Sequence, residues 1–325
     1  MNFKLSSKEI SNIINGELVG SPDLFFTSLQ RIEYASTNDI SFCQNDEFLE
    51  IAKETKPGLL ILFKGAEYKH DTNQALIYHD NPYFAFAQLL IYIDKHFNAI
   101  SSGIRPSASI SLNANVGNNP TILENVVIED NVKIGDNCLI HPNVVIKRDT
   151  IIGDNVIIHP GAVVGSDGFG YLDNPDGSYT KIPQLGNVII GNNVEIGANV
   201  CIDRALIGST HIADGVKIDN LVQIAHNVEI GENSAFASQV GISGSAKIGK
   251  RVRMGGQAGS AGHLEITDDV TIMAQSGVAK SVTTKGIYFG SPIKPRLEAF
   301  KIEAIIKNLP SLINDIKSIK KKLES

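Results

Sequence analysis

The chain has 325 residues, 42% of them hydrophobic, enough for a large core and more than one domain. Its three cysteines, Cys43, Cys138 and Cys201, are too few and too scattered for a disulfide framework or a zinc site, which points to a reducing compartment. A formal net charge of −6 makes nucleic acid a poor partner, and no run approaches the ~18 apolar residues of a spanning helix.

The N-terminus, MNFKLSSKEISNIING, has no apolar leader, so the expected location is the cytoplasm. Residues 1–102 read as a small α/β domain. Ser6 and Glu9 have capping-box spacing and open a short helix that stops at Gly16. GLLILF and ALIYH read as buried strands, and NPYFAFAQLLIYIDKHF as an apolar helix with Asn81-Pro82 at its start. NAISSGIRPSAS, rich in small residues, reads as a linker.

From 103 to 292 a step of six takes over. Ile110, Val116, Ile122, Ile128, Ile134, Ile140, Ile146, Ile152, Ile158 and Val164 are all aliphatic. The step returns at Ile212 and runs to Val278, with Ser260 its one polar member. Neither a helix nor a lone strand has that period. A hexapeptide repeat does, and it predicts a parallel β-helix of triangular coils, eighteen residues each. Gly117, Gly135, Gly153, Gly191, Gly197, Gly231 and Gly249 follow repeat positions, where bulky side chains would collide or φ must turn positive. The register is expected to break once, between Val164 and Ile190, so GSDGFGYLDNPDGSYTKIPQLGNV must loop out, and such loops often carry binding.

In the segment 293–325, Leu297, Phe300, Ile305, Leu309, Leu312, Ile316, Ile319 and Leu323 have helical spacing, and Pro310 is expected to divide them into two helices able to self-associate. Eight Lys/Arg against four Asp/Glu from Lys294 onward, with a second cluster at Lys247, Lys250, Arg251 and Arg253, could receive an acidic protein. Solvated faces explain such charges equally well.

Stacking arithmetic locates the chemistry. Gly244 follows His226 by one coil, ~4.8 Å above it. His263 lies two coils up and one place along, and Asp219 falls near the preceding corner. A general base, a backbone N–H and a carboxylate on one wall suit acyl transfer. His141 and His159, also one coil apart, read as a structural ladder. Metal-ligand spacing is absent, and GSDGFG lacks the βαβ surroundings of a dinucleotide loop.

KIDNLVQIAHNVEIG, GHLEI, GFGY…KIPQLGNVIIG and IDRA resemble the bacterial UDP-3-O-acylglucosamine N-acyltransferases of lipid A biosynthesis. ELVGSPDLFFTSL, NDISFCQNDEF, NPYFAFAQLL and GIYFGSPIKP extend the resemblance over nearly the whole chain. It implies a left-handed parallel β-helix in a homotrimer with active sites between subunits. It further implies transfer of a 3-hydroxyacyl chain from acyl carrier protein to the 2-amine of UDP-3-O-acylglucosamine. The carrier thioester is then the acyl donor, and no cofactor or metal is called for. By motif, His226 is the base, Asp219 its orienting partner and Gly244 the oxyanion donor, while His263 binds substrate or the developing oxyanion. Phe42, Asn45 and Phe48 match the family's uracil site, with Phe48 in place of a tyrosine, so stacking survives and a hydroxyl contact does not.

Direct attack of the amine on the thioester is expected, Ser243 and Ser245 being turn residues rather than nucleophiles. Small residues at Gly277 and Ala279 suggest a long acyl groove, and Lys280 a dock for the carrier. Two other readings stay open. One is a related hexapeptide enzyme that uses acetyl-coenzyme A or O-acylates UDP-N-acetylglucosamine. The other is a non-enzymatic solenoid.

Overall fold

The computed structural model describes residues 3–69, 71–97 and 100–323. It divides into two compact units, Met1–Ser101 and Ser102–Ser325.

In the first unit, the Ser6 hydroxyl accepts from the Glu9 N–H (3.2 Å), and the Glu9 carboxylate accepts from the Ser6 N–H (2.7 Å). Helix α1 (Ser7–Ile14) follows and ends at Asn15, whose φ is +50°. Five strands form one sheet in the order Glu17–Val19, Ala75–His79, Leu59–Phe63, Asp39–Phe42, Ser28–Leu29, all neighbours parallel except the first pair. The continuous apolar run Leu59–Phe63 is explained by burial of both faces. Leu59 and Ile61 pack with α1 and with α3 (Pro82–Phe97), whereas Leu60 and Leu62 pack with Leu49 and Ala52 of α2 (Asp46–Thr55).

In the second unit, two-residue strands stack on three faces of eleven, nine and eight strands. The chain visits them in that order, and cross-coil partners such as Asn118 and Asp136 are eighteen residues apart. Each repeat aliphatic is buried from Ile122 onward, along with a smaller residue two places earlier, as in Val126 and Ile128 or Ala246 and Ile248. Ser260 sits in this inward column with its hydroxyl unpaired among the described residues.

Several expectations need correction. The linker is shorter than its composition suggested. Asn98 and Ala99 lie outside the described residues, but Gly103–Ile104 and Ser109–Ile110 already pair with Thr121–Ile122 and Val127–Ile128 as solenoid strands. The corner glycines avoid collision only. A side chain at Gly231 would start 2.6 Å from the Gly249 backbone, yet the positive φ falls two residues further on, at a column running Asn119, Asn125, Asn131 and onward. Asn suits that left-handed position because its short amide tolerates it.

The register also breaks twice rather than once. Cross-coil partners step by 38 residues from Asp154 to Asn192, and by 22 from Asn192 to Asp214. The first step contains a hairpin, Tyr171–Asp173 against Tyr179–Lys181, and the second a short loop at Arg204–Gly208. Both leave from the corner between the second and third faces, after Val163–Ser166 and Cys201–Asp203. Sequence periodicity missed the second because the two insertions together add 24 residues, a multiple of six, so Ile212 returns to the phase of Val164.

Finally, Pro310 does not split the C-terminal segment. A single helix, α4, runs from Arg296 to Leu323. A proline removes one N–H and can kink a helix without ending it, which a solvent-exposed helix tolerates. Ala299 is its one buried residue, so Leu309, Leu312, Ile316 and Ile319 stand exposed. No helix among the described residues is long and apolar enough to cross a membrane.

Candidate active site

The corner from which both insertions leave also carries His226, two residues past Ile224 on the second face. Its Nδ1 lies 3.2 Å from the Asn227 Oδ1. That oxygen already accepts from the Leu206 N–H (2.9 Å), while the Asn227 amide nitrogen donates to the Ile207 carbonyl (2.9 Å). Asn227 therefore presents an acceptor to the imidazole, and Nδ1 carries the proton. Nε2 keeps its lone pair, the form a general base requires. The short loop that sequence periodicity missed is thus what fixes the tautomer.

Gly244 stacks on His226 as the eighteen-residue step predicts. A side chain there would begin 2.7 Å from both Cε1 and Nε2 of the imidazole. At equivalent corner positions the backbone N–H is taken up by a side chain of the next coil, as Asp136 accepts from Asn118 and Asp268 from Lys250. The position above Gly244 is Gly262, which has no side chain, and the Gly244 N–H has no hydrogen-bond partner among the described residues. An imidazole nitrogen and an open backbone donor therefore belong to residues stacked one on the other. That pairing can accept a proton and hold a developing oxyanion at once.

His263 sits one coil above, its N–H donating to the Gly244 carbonyl (3.0 Å), with its imidazole exposed. Asp219 is not on this wall. It follows Ile218 on the first face, one corner earlier, where its carboxylate accepts from the N–H groups of Asn220 (2.7 Å) and Ser238 (2.9 Å). Seven residues along a solenoid cross a corner, so nearness in sequence did not bring the two side chains together within one chain. The carboxylate nearer His226 is Asp203, which accepts from the Ser166 hydroxyl (2.8 Å) and the Gln223 amide (2.9 Å). Burial pushes its carboxyl above the usual aspartate range, against the pull of those hydrogen bonds and the neighbouring His226 and Lys181. The IDRA motif contained it, but spacing alone gave it no role.

Other expected features fall elsewhere. His141 and His159 stack at the first-to-second corner with centroids 5.0 Å apart, and His159 meets Glu195 at 3.0 Å. Gly277 lies under Ser291, whose hydroxyl is 2.8 Å from where its side chain would begin, so its smallness serves packing and not an open groove. In the basic cluster, Lys250 pairs with Glu232 (3.2 Å) and Arg251 with Asp269 (2.6 Å), so two of the four charges are offset.

In the first unit, Phe42 and Phe48 line a cavity of about 190 Å³ with Arg31, Ile32, Glu33 and Gln44. Phe42 is held by stacking on Phe86, centroids 4.6 Å apart. The volume is below the ~300 Å³ of ordinary ligand pockets, which suits one planar ring rather than a whole nucleotide sugar. Asn45 caps α2, accepting from the Phe48 N–H at 3.2 Å, and is not part of the lining. Among the described residues no cluster of three His, Cys, Asp or Glu is placed to hold a metal ion.

Comparison with known proteins identifies the family and the fold. A family model described as UDP-3-O-(3-hydroxymyristoyl) glucosamine N-acyltransferase, LpxD, matches residues 23–91, and one for bacterial transferase hexapeptides matches 113–148, 135–166 and 209–244. A UDP-3-O-acylglucosamine N-acyltransferase of Cytophaga hutchinsonii is 45% identical over 99% of this chain and 97% of its own. That of Christiangramia forsetii is 43% identical over 99% and 100%. Among solved structures, a UDP-N-acetylglucosamine acyltransferase from Bacteroides fragilis superposes with a TM-score of 0.54 at 26% identity, covering 59% of this chain and 73% of that one. The fold is the left-handed parallel β-helix of the hexapeptide transferases. The chain belongs to the UDP-3-O-acylglucosamine N-acyltransferase family.

Proposed function

We propose that this protein transfers a 3-hydroxyacyl chain from acyl carrier protein to the 2-amine of UDP-3-O-acylglucosamine, a step of lipid A biosynthesis, with His226 as general base. The observation that carries the reading is the stacking of Gly244 directly on the His226 imidazole, with the Gly244 N–H left without a partner among the described residues. As the amine attacks the thioester carbonyl, a C–N bond forms and the oxygen gains charge. Gly244 donates to that oxygen while Nε2 takes a proton from nitrogen. Collapse of the tetrahedral intermediate then expels the carrier thiolate, which recovers a proton from the imidazolium. No covalent enzyme intermediate is needed.

His263, exposed beside Gly244, contacts substrate or the carbonyl oxygen. Phe42 and Phe48 bracket the uracil ring, with Arg31 and Gln44 as polar neighbours that sequence reading overlooked. A homotrimer belongs to the same proposal. Its support is the exposed apolar stripe of α4 and the placement of Asp219 at a different corner from His226, where a neighbouring subunit would have to bring them together. Carrier docking draws on the basic C-terminal segment and Lys280, and three unpaired cysteines fit a cytoplasmic location.

The test is thiol release from 3-hydroxyacyl carrier protein. Release that requires the UDP-sugar amine, and outpaces acetyl-coenzyme A, is expected. Preference for acetyl-coenzyme A, or for UDP-N-acetylglucosamine as acceptor, would overturn the reading, and a monomeric mass by light scattering would overturn the trimer.

A further inference from the structure

One coil below His226, in the same corner column, sits the largest fully buried side chain among the described residues. Ile202 pairs with Ile224, so Arg204 and His226 both stand two residues past a paired repeat position. Arg204 is 2% exposed. Its Nε donates to the Gly165 carbonyl (2.9 Å) and a terminal nitrogen to the Arg148 carbonyl (2.7 Å). Its backbone N–H donates to the Ser166 carbonyl (2.8 Å). The charge is thus met by carbonyls rather than by a carboxylate, a costly arrangement for a buried cation that calls for a role beyond packing.

The role follows from what the guanidinium ties together. The coil ladder slips between Val164 and Ser166, where the hairpin departs. Gly165 takes a φ of +90° there, and a side chain on it would begin 3.0 Å from Lys147 Cβ and from Thr150 Oγ1. Arg204 bonds across that irregularity and is also the first residue of the Arg204–Gly208 loop. Two residues on, the Leu206 N–H donates to Asn227 Oδ1, and the Ile207 carbonyl accepts from the Asn227 amide. The middle of the loop is held from the returning strand, where the N–H groups of Leu185 and Gly186 donate to the Leu206 and Ala205 carbonyls (2.9 Å each).

We infer that Arg204 is a positioning residue for acyl transfer, anchoring the loop that holds Asn227 and, through Asn227, the His226 tautomer; the inference rests on the reading of His226 as the base. Arg204 itself touches no substrate. Without its guanidinium the loop loses its fixed start, and the Asn227 amide is free to turn its NH₂ toward Nδ1. Nδ1 then keeps the lone pair and the ring proton moves to Nε2, which can no longer accept from the amine.

The experiment reads the imidazole directly, in full-length protein labelled with ¹⁵N-histidine at a pH where the ring is neutral. Wild type should show His226 protonated at Nδ1. Arg204→Met, which keeps an apolar stem and removes both side-chain donors, should show a mixture of tautomers. Its kcat for thiol release should fall about tenfold with little change in either KM. Combined with Asn227→Ala it should stay within about twofold of Asn227→Ala alone, since both changes act through one amide. Arg204→Lys still reaches one carbonyl and should lie between wild type and Arg204→Met, and it supplies the comparison if the methionine protein does not fold. An unchanged tautomer in the folded variant, or a double variant about a hundredfold slower than wild type, would overturn the inference. A wild type that shows the Nδ1–H tautomer and transfers no acyl chain would instead overturn the acyl-transfer reading.

Discussion

Replacing Gly244 by alanine adds one methyl group at the point where the account is most specific. That carbon would stand 2.7 Å from Cε1 and Nε2 of His226, whereas carbon contacts settle near 3.5–4.0 Å. Something must give by about an ångström. The backbone at Gly244 does not have positive φ, so alanine fits the chain and the imidazole is what moves. Overpacking of this kind costs about 1–3 kcal/mol, a shift of several degrees in Tm that leaves the solenoid folded. Catalysis suffers more, because a misplacement of about 1 Å costs on the order of 10²-fold. The assay is kcat for acyl transfer beside a thermal melt of the same preparation. A folded Gly244→Ala protein within threefold of wild-type kcat would refute the claim that the imidazole and the backbone N–H act together at one reacting centre, on the amine nitrogen and the carbonyl oxygen.

Three further outcomes follow from the same geometry. Asn227→Ala frees Nδ1 and lets the unproductive tautomer compete, so kcat should fall about tenfold or more with little change in KM, and an unchanged kcat would show that Asn227 does not set the tautomer. Ser260→Ala removes an unpaired hydroxyl from the apolar column and should raise stability by about 1 kcal/mol in denaturant titration, while a loss of stability would mean the hydroxyl has a partner. Burial raises the Asp203 carboxyl, so the folded state holds its proton to higher pH than the unfolded chain. Its contribution is then fully present below the unfolded value near 3.9 and is lost as pH rises through the folded one. Melts between about pH 3.5 and 7 should show wild type losing ground to Asp203→Asn as pH rises, and parallel curves would contradict that sign.

The solenoid was legible because every coil repeats the same demand, one aliphatic inward every six residues, and that redundancy survives a Phe236, a Met254 or a Ser260. The stacking of Gly244 on His226 was legible for the same reason, since no insertion separates them. What failed was everything that leaves the period. Asp219 was read near the preceding corner and lies there, but that corner keeps its carboxylate off the wall that carries His226. The loop at Arg204–Gly208 hid between two isoleucines, and with it the clamp on Asn227. Pro310 was read as a break because it removes a hydrogen bond, and one lost bond was not enough to end an exposed helix.

Everything in the catalytic account depends on His226 Nε2 taking a proton from the attacking amine. The direct test is kcat for thiol release by a folded His226→Ala protein of wild-type stability. A fall of ~10²–10⁴ is predicted, and turnover near that of wild type would contradict the assignment.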